Sequence, residues 1–390
     1  MPEPTKLFSR DPLPKYFVLM LLLCGVISVF FTPTAVSASA GSTAAFPTPT
    51  PAKKPAASSG ANKAAKAATP KPVANANKTA NIPKPAATPK PDPQKIIVTT
   101  TAARVRAEAS TNSAEIRRMK LGTILPLLET TPGAAPWYKV QLPAGSKATT
   151  GWMSSTVAGS FDGAKAEAAY RQIATKNFKK TGMSFADGVE VYEFLTRVMP
   201  EIKTNETAAE LGLKRLQSLA AALDAIPIMK SEEKQYKDFT AAHDKEIAYS
   251  EPAGRWFVRA DLLWDLRKKY SKSPLAEEIA WTAARTSLPG ECEGYVNCYL
   301  YLMRETDGEY LDLYPNGKHA QEALKNITTY LQPIVADLKE KKIYTGPSDL
   351  SDRAEYNKLL AELRNIISRL PLVDKDRPLR QISLLAEAYR

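Results

Sequence analysis

Histidine is almost missing from this sequence: His243 and His319 are the only two in 390 residues. That scarcity excludes most chemistry in which imidazole serves as base or ligand. A catalytic zinc site needs several His or acid ligands around an open position. A Cys-His hydrolase needs a His well downstream of its nucleophile and a third group to orient it. Only His319 follows Cys292 or Cys298, and cysteine itself is sparse, at three. No phosphate-binding P-loop, dinucleotide fingerprint or Gly-x-Ser-x-Gly elbow occurs. Two carboxylates alone could serve a glycosidase, but no local motif marks a pair, and the acids read as solvated helix faces. Long apolar runs are missing too, apart from Phe17 to Phe31, which excludes a polytopic membrane protein. No catalytic residue, cofactor or metal ligand is therefore assigned.

Proline is plentiful, at 30, and eleven of these lie between residues 41 and 95. The same stretch holds nine Lys against one acid, Asp92, so most of the +12 net charge sits there. Aromatics are nearly absent from it; Phe46 stands alone. Such a composition cannot bury enough apolar area to offset ordering entropy, so 41–95 is expected to be a disordered linker. Extended, it would reach ~150 Å, enough for a spacer through an envelope. A basic charge spread along a spacer does not make a nucleic-acid face; it reads as solvation or weak attraction to anionic polymer.

Residues 1–40 carry an export pattern. Lys6, Arg10 and Lys15 precede the Phe17 to Phe31 run, which is short for a membrane span. Ala38-Ser39-Ala40 then offers small residues for cleavage between Ala40 and Gly41. The alternative is an uncleaved anchor, the only expected contact with the membrane. Either way the chain after residue 41 is exported. Cys24 lies within the apolar run, preceded by Leu23 rather than a small residue, so it reads as part of that run.

From Lys95 the texture becomes β. Ile96 to Thr101 is mostly β-branched, and Ala103, Val105 and Ala107 alternate with Arg104 and Arg106. Thr123 to Glu129, Trp137 to Leu142 and Gly151 to Met153 complete five expected short strands, a small closed barrel. Arg104-Val105-Arg106, Ser110 to Ser113, Leu121-Gly122-Thr123, Trp137-Tyr138-Lys139-Val140 and Gly151-Trp152-Met153 follow one another in a familiar order. Over about 96–160, within an expected domain 96–162, the chain resembles the bacterial SH3-like (SH3b) domain. The resemblance implies an all-β barrel that binds cell-wall peptide or docks envelope proteins, with Trp137, Tyr138 and Trp152 as groove residues. One departure is Ala107-Glu108-Ala109, where relatives carry Ser-Gly-Pro in a loop beside the groove. By alternation, Trp137 shares a face with Lys139 and Gln141, opposite Tyr138, Val140 and Leu142.

Residues 163–390 read as helical throughout. Helices are expected over 163–177, 184–198, 208–225 and 231–249. Trp256, Ala260, Leu263 and Trp264 suggest another helical stripe, as do Leu359, Leu360, Leu363, Ile366, Ile367 and Leu370. Tyr270 to Ile279 aligns with Tyr314 to Ala323 at an offset of 44 residues. This corner weakly resembles tetratricopeptide-like repeats of bacterial envelope proteins, which stack helical hairpins. In an exported chain, Cys292 and Cys298 are expected to form a disulfide.

The fold expected is thus multidomain: a small all-β barrel followed by an all-α helical-hairpin domain. The function expected is a non-catalytic binding or scaffolding protein of the bacterial envelope. Its partners would be peptidoglycan or an envelope protein or peptide, not nucleic acid. The alternative is a cell-wall hydrolase with an unmarked site in the helical region.

Overall fold

The computed structural model describes residues 94–145, 148–179, 182–288 and 290–389. The expected export segment, its cut between Ala40 and Gly41, and nearly all of the spacer lie outside the described residues.

Seven strands form the barrel: β1 (Lys95–Val98), β2 (Ala103–Arg106), β3 (Glu115–Met119), β4 (Ile124–Thr130), β5 (Trp137–Gln141), β6 (Thr150–Ser154) and β7 (Ala158–Phe161). Their order is β3-β2-β6-β5-β4-β1-β7, with every pairing antiparallel. Two of these, β3 and β7, were not expected from the sequence. β3 reads Glu-Ile-Arg-Arg-Met and buries only Met119, as an edge strand with one neighbour can. Val105, Leu125, Val140 and Met153 fill the barrel, each no more than 2% exposed. β1 is buried on both faces. Ile96 and Val98 enter the barrel core, while Ile97 turns outward into a second core shared with helices.

The helices that receive Ile97 are α1 (Ala166–Asn177) and α2 (Phe185–Val198). Leu121, in the turn before β4, enters the same core, against Phe194 and Leu195 of α2. Polar contacts frame it. Glu190 of α2 accepts the backbone N–H of Leu121 at 2.7 Å and of Ala102 at 3.0 Å. Arg197 donates to the Leu121 carbonyl at 2.5 Å, and Lys120 pairs with Glu193 at 2.7 Å. Asn177 ends α1 by donating to the Thr99 carbonyl at 2.8 Å. Gly122 lies beneath Phe194 at φ +74°, and a Cβ there would come within 2.2 Å of the ring. One end of the barrel is thereby closed by the protein's own helices.

Beyond α3 (Asn205–Asp224) and α4 (Lys234–Ala242) the all-helical expectation fails locally. Residues expected to continue a helix to Tyr249 instead form a hairpin, β8 (Ile247–Ser250) with β9 (Arg255–Val258). Its turn is Glu251-Pro252-Ala253-Gly254, with Gly254 at φ +62°. Trp256 therefore lies on a strand, facing Tyr249 with ring centroids 5.1 Å apart. The helical spacing from Trp256 to Leu263 crosses a strand-to-helix junction and is a coincidence, not one stripe.

Helices resume with α5 (Ala260–Lys269), α6 (Ala276–Arg285), α7 (Val296–Met303), α8 (Glu309–Leu313), α9 (Ala320–Asp337), α10 (Leu350–Arg369) and α11 (Asp376–Ala388). The repeated segments are two helix-turn-helix corners. Tyr270 caps α5 before α6, and Tyr314 caps α8 before α9. The corners pack together. Tyr310 donates to Glu277 at 2.8 Å, Arg267 to the Tyr314 hydroxyl at 3.0 Å, and His319 stacks flat on Trp281 at 4.3 Å. A π-helical turn, Arg304–Gly308, joins α7 to α8 and carries Asp307, 1% exposed. Arg285 and Asn326 both donate to Asp307, at 2.6 and 3.1 Å, compensating a buried carboxylate. Among the described residues, no helix is long and apolar enough to cross a membrane.

Cys292 and Cys298 stand at disulfide distance, with sulfurs 2.03 Å apart. They close a loop in which Glu293 and Gly294 take φ +45° and +83°. Thr345 donates to the Gly294 carbonyl at 2.8 Å, and its own carbonyl accepts Val296 N–H at 3.0 Å. Asp337, at the end of α9, accepts the N–H groups of Lys342, Ile343 and Tyr344. The bridge thus belongs to a chain of contacts running from α7 to the end of α9.

Candidate functional site

Alternation puts Trp137, Lys139 and Gln141 of β5 on the outer face of the barrel, and the register then places their neighbours. Lys139 lies opposite Trp152 on β6 and Glu129 on β4; Trp152 lies opposite Arg106 on β2. Directly opposed residues share a face. Four strands therefore present one row: Glu129, Lys139, Trp152, Arg106. Trp137 stands one step further along β5, opposite Ser154. That makes it the diagonal neighbour of Trp152, at about 7–8 Å by sheet geometry.

The row is electrostatically ordered. Lys139 bonds Glu129 at 3.3 Å and holds its ammonium 5.6 Å from the centre of the Trp152 ring. Arg106 donates to the Ser113 carbonyl at 2.5 Å, which fixes it at the mouth of the β2–β3 turn. Both indoles are half-buried, and neither belongs to the packed cores. Trp137 is set in place through its backbone, which exchanges bonds with Thr131 across the β4–β5 turn. Flat rings held this way offer large contact area at small entropic cost, with cations alongside for carboxylates.

Tyr138 does not join the two indoles. It faces Met153 and packs against the barrel core. The departing loop, Ala107-Glu108-Ala109, follows Arg106 directly and so borders the row. It is a self-contained turn: Ala107 N–H bonds Ala114 at 3.0 Å, and Glu108 N–H bonds the Ser113 hydroxyl at 2.9 Å. Arg106 and Glu129 were not singled out by the sequence; only the strand register brings them beside Trp152 and Lys139. Among the described residues, no group of three or more His, Cys, Asp and Glu side chains is placed to hold a metal. The cysteine pair lies far along the chain, with Cys292 in the loop before α7 and Cys298 in the first turn of α7.

Comparison with known families gives one match: residues 101–157 fit the family model of the bacterial SH3 domain. Its span runs from the turn before β2 to the turn after β6, so it contains every residue of the row. No curated protein and no solved structure matches the chain.

Proposed function

With residues 101–157 a bacterial SH3 domain, commonly a cell-wall or peptide-binding module, we propose that this is an exported, non-catalytic binding or scaffolding protein of the bacterial envelope. The ligand is peptidoglycan or an envelope peptide, taken on the outer face at Trp137 and Trp152. The helical region supplies protein contacts. One observation carries the reading: the protein's own helices cover the end of the barrel at Leu121 and Gly122, while both indoles stay outside the packed cores. Trp152 lies between two cations, as suits a ligand with flat faces and carboxylates. The sulfur pair at Cys292 and Cys298 is consistent with an oxidising compartment.

The test is sedimentation with insoluble peptidoglycan. The intact protein should sediment with it, and the W137A/W152A double variant should not, with little change in thermal midpoint. Equal sedimentation by the double variant would remove the outer face as the site. Clearing of a labelled peptidoglycan suspension would instead identify a hydrolase. N-terminal sequencing of envelope-derived protein should read from Gly41; retention of residues 17–31 would establish an anchor.

A further inference from the structure

A concave surface lies between the barrel and the helices, and the reading above makes no use of it. It is a half-open cleft of about 640 Å³. Arg117 and Arg118 of β3, Lys120 of the following turn and Arg197 of α2 line it, against a single acid, Glu201. We propose that this cleft binds a compact oligoanion carrying phosphate or carboxylate groups.

Charge placement is the first support. Residues 96–161 hold seven Lys and Arg against three acids, and three of the seven, Arg117, Arg118 and Lys120, line the cleft. The helical region does not share this excess, so the barrel wall brings positive charge to the cleft. Positioning is the second. Arg118 gives its Nε to Glu115 at 3.0 Å, Lys120 bonds Glu193 at 2.7 Å, and Arg197 gives one nitrogen to the Leu121 carbonyl. Each bond fixes a cation while using only part of its donor set. Those cations converge from two elements that the Leu121 core locks together, which is how a rigid anion site is built. Glu201 is already engaged, accepting the Tyr170 hydroxyl at 2.6 Å. Size is the third. The volume suits a small molecule rather than a polymer strand. Met119 and Val198 are buried in its lining, giving the anion an apolar floor.

The experiment is calorimetric titration of the full chain at low salt with inorganic tripolyphosphate and, separately, citrate. One saturable site is expected for at least one probe, and the stronger probe tells phosphate from carboxylate recognition. R118Q/K120Q should weaken that site tenfold or more, since both side chains are exposed and their loss leaves the core intact. W137A/W152A should leave it unchanged, which separates this inference from the wall-binding reading. No saturable binding of either probe would overturn the proposal. So would equal binding by R118Q/K120Q, because the lysines of 41–95 would then be the binders. If that variant fails to fold, acetylation of Lys120 in the native protein decides: protection by the bound probe supports the site, and unchanged labelling rejects it.

Discussion

Among single residues, Gly122 has the least freedom to change. Its positive φ suits glycine, and its missing Cβ leaves the space that the Phe194 ring fills. Gly122→Ala should combine backbone strain with overpacking and cost about 2–5 kcal/mol, read as a lowered denaturation midpoint. Trp137 is the contrast, since it lies outside the cores. Trp137→Ala should cost well below the roughly 2–5 kcal/mol expected for truncating Met153, which is fully buried. The tyrosines give a pH signature. Burial, then the hydrogen bond to Glu246, pushes the Tyr192 phenol up to about 12. Burial is also the main cause that raises Tyr170, Tyr310 and Tyr356. An unfolded tyrosine ionises near pH ~10, so the folded state holds these protons longer. Their stabilisation is complete below pH ~10 and is lost as pH climbs towards 12. Thermal midpoints should fall over that window, and phenolate absorbance should rise together with unfolding rather than before it.

At the scale of elements, the bridge between Cys292 and Cys298 ties the loop before α7 to the first turn of that helix, beside the backbone bonds that Gly294 and Val296 make to Thr345. Reduction should lower stability by at most a few kcal/mol, because the closed loop is short. Unreduced protein should resist thiol alkylation; ready labelling of both thiols in native, non-reducing conditions would contradict the pairing. Elements also show what the sequence could reveal. β2, β4, β5 and β6 were legible because each alternates or carries a motif, and α1, α2, α3 and α10 because their apolar period holds. β3 was hidden because an edge strand with one neighbour can be nearly all polar. The β8–β9 hairpin was hidden because Trp256, Ala260, Leu263 and Trp264 fall at helical spacing across a strand-to-helix junction. The Pro252-Ala253-Gly254 turn was the signal that could have found it. Trp137 and Trp152 were legible as candidates, but not their row, because register across four strands is a tertiary property. The Glu190 clamp was illegible: a lone acid on a helix carries no mark of the two N–H groups it will accept.

At the scale of the whole molecule, barrel and helices cannot be treated as separate beads. Residues 94–161 expressed alone would expose Ile97 and Leu121, 2% and 0% exposed in the intact protein. The excised barrel should melt at lower temperature than the full chain, or self-associate, by calorimetry and light scattering; an equal midpoint with a monomeric barrel would show that the helices add nothing. The position of β1 has a mechanical consequence. Everything before Lys95 joins the folded body through this strand, which lies between β4 and β7 in the sheet. Its side chains are sunk alternately into two cores. Tension arriving along the chain would meet two ladders of hydrogen bonds, those to β4 and those to β7, before any helix felt it. A body tugged through its first strand would thus be held at one of its most firmly gripped points, with the load passed through Ile97 to α1 and α2.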